Sequence, residues 1–404
     1  MDNITHSLVG LVEAELILHG PSGLRRRLPP TITRVVAVAA NNFPDLDFFI
    51  TPLIPGRLGY LLHHRGHTHT LLGAAGLALL LTILVGGWTK WRHPDVNWRE
   101  SAGPIFVVAL IGFWLHILMD SFNSYGVHPF WPWDNHWYYG DTLFIIEPWL
   151  WGVLLPLAMA SERKWIAWPA GAVWLFALGF VWWGGAIPGI MAVVITLTSG
   201  LVAAAVFRFP NARGGTALVG MLLVIGVFGA ASQSVRRQIW DRLSTENAGR
   251  RIEDLVLSPL PANPFCWAVT TVEIEPSTDD YISRRGYAVL SPRWSDVNRC
   301  RLIGDVAPVE PRTPTSDESL RWKGEQRMRR RELAEIAKSS CEVSAFLQFA
   351  RVPLVARVGA EIVAGDGRFR MGVKRSFSEF TLRPDHPCPR NLPPWIPPRH
   401  DLLD

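Results

Sequence analysis

The residues of this chain best suited to chemistry are its histidines, and they are unevenly placed. Ten of the 12 lie before residue 140, in the more apolar part of the sequence. They fall, with carboxylates, into four clusters. MDNITH carries Asp2, Asn3 and His6; NNFPDLD, 41–47, carries Asp45 and Asp47. HHRGHTH, 63–69, carries His63, His64, Arg65, His67 and His69, and HILMDSFNSYG, 116–126, carries His116 and Asp120. Imidazole nitrogens together with carboxylate oxygens form a donor set for zinc and similar divalent ions. His116 and Asp120 are four apart, so on a helix they share one face and can grip one ion. Asp45 and Asp47 are two apart beside a proline, in an extended turn whose alternate residues point the same way.

Each cluster also has a plainer reading. His6 could be a satisfied core histidine, and His116 with Asp120 a hydrogen-bonded pair at a helix contact. HHRGHTH could be a solvated or headgroup loop, and Asp45 and Asp47 could cap a helix. Ionisable residues near membrane spans are costly and usually functional, so four such clusters together favour a site. His19, His93, His128, His136, His386 and His400 lack that support, although His128 and His136 share one loop.

The elements that must position these clusters are apolar. Residues 68–87, 104–122, 143–160, 165–184, 186–207 and 214–233 are nearly free of charge. Each approaches the roughly 20 residues that cross a bilayer as a helix. Two shorter segments, 4–18 and 31–43, read as short embedded or interfacial helices. No basic region precedes the first of them and no small-residue cleavage site follows, so it does not read as a cleavable signal. The hydrophobic fraction of 49% and the 19 tryptophans exclude a wholly soluble or disordered chain.

Loop charges set an expected orientation. Lys90, Arg92 and Arg99, then Arg163 and Lys164, then Arg208 and Arg213 occupy alternate loops, and Arg25, Arg26 and Arg27 fall on the same side. The positive-inside rule makes that side cytoplasmic. The loop 123–142 has no Lys or Arg and faces outward. In this count all four clusters, and everything after residue 233, reach the outer face.

The polar tail is a different kind of sequence. Residues 1–233 hold 13 Lys/Arg and 12 Asp/Glu, and residues 234–404 hold 27 and 23. The net charge of +5 is therefore thinly spread, which argues against a nucleic-acid binder. The expected division is a membrane domain over 1–233, a short helix and linker over 234–262, and a small α+β domain over 263–404. Strands are expected at 265–275, 281–290 and within 353–383, a loop at 309–318 and a helix at 325–338. The fold class is thus a mainly α, polytopic helical bundle with six full spans and two short N-terminal helices, followed by that α+β domain. Cys266, Cys300, Cys341 and Cys388 match no zinc pattern. They are either one or two disulfides outside the cell or buried thiols inside it.

The order MDNITH, NNFPDLD, HHRGHTH and HILMDSFNSYG resembles the YdjM-type family of inner-membrane, metal-dependent hydrolases, distant relatives of zinc-dependent phospholipase C enzymes. HHRGHTHT is its most specific piece, with Thr70 where the family pattern usually has Ser. NPFCW (263–267) and FARVP (349–353) resemble tails of some members more weakly. The resemblance implies metal ligands at His6, Asp45, Asp47, His64, His69, His116 and Asp120. It also implies clustered divalent ions that bind a phosphoester and activate water.

The leading expectation is therefore a zinc- or manganese-dependent phosphoester hydrolase at the outer face of the inner membrane, acting on a lipid or lipid-linked substrate. Asp45 or Asp47 would bridge ions or accept the water's proton, and Arg65 would hold a phosphate oxygen. Asp141 and Glu147 are candidates for a further ion site. Two other classes remain open. One is a transporter of divalent ions or small anions, although no internal repeat is visible and the clusters lie at span ends. The other is a non-catalytic scaffold in which a metal staples the short helices to the bundle.

Overall fold

The computed structural model describes the chain except for residues 21–22, 50, 52–56, 93–96, 184–186, 247–248, 301–316, 359–360, 370–376, 383–390 and 404. His93, His386, Cys388 and most of the loop expected at 309–318 lie outside the described residues.

The N-terminal half is a helical bundle. Its helices are α1 (Asn3–His19), α2 (Pro30–Ala40), α3 (Arg57–His63), α4 (Leu71–Arg92), α5 (Trp98–Ser121), α6 (Pro148–Met159), α7 (Lys164–Trp183), α8 (Gly189–Arg208) and α9 (Arg213–Glu246). Short stretches of tighter 3₁₀ helix, Phe43–Phe49 and His67–His69, carry two of the histidine–carboxylate clusters. Among the described residues, α4, α5, α7, α8 and α9 are long and apolar enough to cross a membrane. Only 17% of the apolar window in α7 is buried inside the protein. So large an apolar surface is stable against lipid and not against water.

Aromatic side chains mark both membrane boundaries. Trp91, Trp165 and Trp168 are exposed beside Lys90, Arg92, Arg163 and Lys164, and Trp182 and Trp183 are exposed at the other end of α7. Eighteen residues separate Trp165 from Trp183 along α7. At 1.5 Å per residue that is about 27 Å, close to the thickness of a hydrocarbon core.

The segment expected as a third span, 143–160, is helical only over the 12 residues of α6. Twelve residues reach about 18 Å, shorter than a bilayer's hydrocarbon core. The helix begins late because Pro148 opens it and the Glu147 carboxylate caps it, accepting from the Trp149 amide at 3.2 Å. Eight of its residues from Leu150 to Ala158 are buried, so α6 is an interior element packed on α1, α7, α8 and α9.

Residues 234–262, expected as a short helix and linker, carry the C-terminal part of α9 and strand β1 (Arg251–Leu260). The apolar stripe Val235, Ile239 and Leu243 continues the face of α9 beyond the membrane and is buried. It packs in one continuous core with Leu255, Leu257, Trp267 and Val269 of the sheet. That sheet is an antiparallel meander of β1, β2 (Asn263–Glu275), β3 (Asp280–Val289) and β4 (Leu320–Arg329). The helix expected at 325–338 starts only at Arg330, as α10 (Arg330–Ser339), because residues 320–329 pair with β3. Helix α11 (Cys341–Leu347) leads into a second sheet of β5 (Pro353–Val358), β6 (Glu361–Asp366) and β7 (Phe380–Leu382).

Cys266 and Cys300 form a disulfide, and no described cysteine is free. The tail domain is seated on the end of the bundle that carries the histidine clusters. Leu58, Leu61 and Leu62 of α3 and Tyr125 and Trp137 of the 123–142 loop share a core with α10, α11 and Trp395.

Candidate metal centre

Helix α5 places His116 and Asp120 one turn apart, as their spacing requires, and both are fully buried. The turn His67–His69, stacked on the start of α4, brings His69 opposite them, and the turn after α2 brings Asp45. His69 Nε2 lies 3.0 Å from His116 Nε2, 3.2 Å from Asp120 Oδ2 and 3.5 Å from Asp45 Oδ1. His116 Nε2 is 3.4 Å from Asp120 Oδ2 and 3.7 Å from Asp45 Oδ1. One donor atom from each of the four lies within 4.8 Å of the others. Four donors at 2.0–2.1 Å around a tetrahedral zinc ion stand about 3.3 Å apart. The observed set brackets that figure, so the residues present fit a divalent ion.

The surrounding shell fixes the donors. His116 Nδ1 donates to the Asn41 carbonyl at 2.7 Å, which leaves Nε2 as the lone-pair nitrogen facing the centre. Thr68 Oγ1 gives its proton to Asp47 Oδ2 at 2.8 Å. It therefore accepts from His69 Nδ1 at 2.9 Å, and His69 is held in the same tautomer. Asn41 is anchored in turn, donating at 3.0 Å to the buried carboxylate of Glu13. Gly112, one turn before His116, makes room for this pair: a Cβ there would lie 3.0 Å from both Asn41 Nδ2 and Glu13 Oε2.

The two oxygens of Asp120 have separate duties. Oδ1 accepts from Arg65 Nη2 at 2.8 Å, lies 3.3 Å from His6 Nε2 and contacts the Met1 amino group. Oδ2 accepts no hydrogen bond and faces the four-donor cluster. His6 also stacks on His116, with ring centroids 3.8 Å apart.

Asp47 and His64 stand beside the cluster, not in it. Asp47 Oδ1 accepts from His64 Nδ1 at 2.8 Å, and Oδ2 accepts from the Arg65 amide at 3.0 Å. Arg65 adopts a left-handed backbone (φ 60°), unusual outside glycine. The turn lets its amide hold Asp47 while its guanidinium holds Asp120 and, at 3.0 Å, Asn123 Oδ1. Both Nη groups of Arg65 are thus spent on protein acceptors, and the side chain is buried.

The electrostatics match this packing. Burial alone would depress His69, but Asp120, Asp45 and Asp47 outweigh it and raise its pKa to about 9. Burial would raise Asp45, yet His69 and His116 hold it below the usual carboxylate range. Asp47 is likewise lowered against burial by His64, His69 and Thr68. The centre therefore demands positive charge, which a proton on His69 or a divalent ion supplies.

The structure brings together His69, His116, Asp120 and Asp45, with His6, Asp47, His64 and Arg65 in direct contact around them. Asp141 and Glu147 do not join them. Asp141 accepts from Arg351 at 2.9 Å and Arg236 at 2.8 Å. Glu147 Oε1 accepts from the amides of Trp149 and Ala262, at 3.2 and 3.0 Å. Both oxygens of Asp141 are engaged by arginines, whereas Glu147 Oε2 is buried without a hydrogen-bond partner, and neither residue stands with the four-donor cluster. His128 is sandwiched by Trp395 and Trp137, and exposed His136 pairs with Asp134. Sequence reasoning missed Glu13, Asn41 and Thr68. Glu13 was reachable, since seven residues after His6 it must share that face of α1.

The site lies at an apolar rim. Leu46, Phe48 and Phe49, flanking Asp45 and Asp47, are exposed, and Asp45 is the least buried of the four donors.

No curated protein and no solved structure matches this chain. Residues 1–188 match the family model described as YdjM inner membrane protein, and this span holds every residue of the centre. Over those residues, from the first histidine cluster to just past the end of α7, the chain is similar to the YdjM inner membrane protein family.

Proposed function

We propose that this protein is an integral-membrane, metal-dependent hydrolase that cleaves a phosphoester in a lipid or lipid-linked substrate. The observation that carries the reading is the convergence of Asp45, His69, His116 and Asp120, two carboxylates and two imidazoles with their lone pairs on one point. A zinc or manganese ion held there would lower the pKa of a bound water and offset charge building up on phosphate.

The chain's own groups have distinct tasks in this scheme. Asp120 Oδ2, His69 and His116 would hold the ion from the buried side. Asp45, the least buried of the four donors, would complete the set from the open side and is also placed to take a proton from an attacking water. Asp47 orients His64 and, through Thr68, His69. Arg65, bound to Asp120 and Asn123, serves as a positioning residue more readily than as a phosphate clamp.

The exposed Leu46, Phe48 and Phe49 support a substrate that arrives from the bilayer, since an apolar rim on an ionic centre suits an amphiphile. The positive loops and the Cys266–Cys300 disulfide favour the extracytoplasmic face for the centre and the tail domain.

The test is phosphodiesterase and phosphomonoesterase activity of metal-loaded protein in lipid vesicles. Asp45→Asn should abolish turnover of a headgroup-bearing lipid. Full activity in Asp45→Asn and Asp47→Asn would overturn the reading.

A further inference from the structure

A second feature lies at the opposite end of α1 from His6. Helices α1, α8 and α9 enclose a groove of about 870 Å³, lined almost entirely by carbon. Leu201, Val219, Leu223 and Val227 line it and are largely exposed, so the groove opens sideways on a surface that faces lipid. It reaches from the α8–α9 turn, at Asn211, to Val227 and Phe228. From Arg213 to Val227 is 14 residues, about 21 Å of helix, more than the roughly 15 Å of one leaflet's hydrocarbon.

A charged cluster borders one end of the groove: Arg34 and Arg213 stand beside the lining there, tied to it through Glu15. Glu15 lines the groove and is buried. Its carboxylate accepts from Arg34 Nε at 2.9 Å and Arg213 Nε at 2.7 Å, with His19 Nδ1 at 3.2 Å. Two guanidinium groups face one carboxylate, so this end keeps a net positive charge. Glu15 engages the Nε of each arginine, and the Nη groups have no protein acceptor among the described residues. Arg34 is 40% exposed and Arg213 19%. The planar fork of arginine is well suited to phosphate oxygens.

We infer that this groove is a binding site for one anionic phospholipid. An acyl chain lies between α8 and α9, and the phosphate sits at Arg34 and Arg213. Charge complementarity at one end and carbon along the rest select a bilayer phospholipid over a protein helix, which would leave the arginines unanswered. The site is separate from the metal centre: Glu15 is nine residues beyond His6 on α1, about 13 Å along the axis.

The full chain is reconstituted into phosphatidylcholine nanodiscs containing a trace of phosphatidylglycerol or phosphatidylcholine with a photoreactive acyl chain. Adducts are then mapped by mass spectrometry. Phosphatidylglycerol should label peptides of α8 and α9 in the 198–228 region, several-fold more than phosphatidylcholine does. Gly215→Phe fills the groove, and a Cβ at Gly215 meets no atom within 4 Å. This variant should lose that labelling, and Ala205→Phe should do the same by a second route. Gly76→Phe, at an equally open position on α4, should not. Labelling spread evenly over the lipid-facing helices, or unchanged in both groove-filling variants, would overturn the site. Equal labelling by the two lipids would overturn its anionic selectivity.

Discussion

The Nε2 atoms of His69 and His116 lie 3.0 Å apart, although 47 residues separate them, and the far nitrogen of each ring is held by a fixed oxygen. Two imidazoles aimed nose to nose are favourable only with a cation between or on them. With Asp45 and Asp120 closing the other two directions, a cation there would have four donors. Protein purified in detergent and loaded with zinc or manganese should therefore hold about one ion in this cluster. His116→Ala combined with Asp120→Ala should lose it, as measured by elemental mass spectrometry. A double variant that keeps full metal content would place the ion elsewhere.

The anchoring of His116 is testable from outside the ligand set. A methyl group on Gly112 would lie 2.7 Å from Ala40 Cβ and 3.0 Å from Asn41 Nδ2 and Glu13 Oε2. Gly112→Ala should displace Asn41, whose carbonyl orients His116, and weaken metal binding roughly 10–100-fold. The overpacking should itself cost ~1–3 kcal/mol in stability. Glu13→Gln retains an acceptor for Asn41 and should bind metal nearly as wild type does. Chelator competition on the three proteins separates these outcomes.

How much of this was legible follows from the range of each interaction. The His116–Asp120 pair is a local, helical relationship, and its spacing announces it. The Asn41 carbonyl on His116, and His6 stacked on His116, join positions 75 and 110 residues apart, which no local period encodes. Hydropathy found the spans but misjudged the helical extent of 143–160, because Glu147 caps and Pro148 opens the helix five residues into that apolar run. The same habit ended α9 too early. Charges after 233 read as a separate short helix and linker, yet Val235, Ile239 and Leu243 keep a spacing of four and α9 continues through them to Glu246. Charge likewise disguised the end of β4, whose residues 325–329 read as helix although they pair with β3.

Acid should loosen the contact between the tail domain and the bundle through His128. Its ring is 3.7 Å from that of Trp395 and 3.9 Å from that of Trp137, and burial lowers its pKa to about 3. In the unfolded chain it takes up a proton near 6.5, while the folded form stays neutral until about 3. Stability is therefore level above pH 6.5 and falls as pH drops from 6.5 towards 3. At pH 5 the loss from this one group is about 2 kcal/mol. Thermal unfolding of wild type and His128→Phe at pH 7.5 and 5 should show a steeper decline in wild type. Identical declines would remove His128 from the account.

Asp141 separates a structural ion network from a metal site. Its carboxylate is shared by Arg351 and Arg236, and Arg351 also grips Asp254 of β1 at 2.7 and 3.0 Å. Arg351 is buried, so removing the charge of Asp141 leaves it with one carboxylate in place of two. Breaking a buried pair of this kind typically costs ~3–5 kcal/mol. Asp141→Asn should accordingly lower the unfolding temperature and expose the tail domain to limited proteolysis. Metal content should stay at the wild-type level, because no donor of the four-residue cluster contacts Asp141. Restoring a partner does not require the ion: adding zinc or manganese should leave the proteolysis of Asp141→Asn unchanged. A variant that instead lost metal along with stability would return Asp141 to the ligand set and make the domain junction part of the centre.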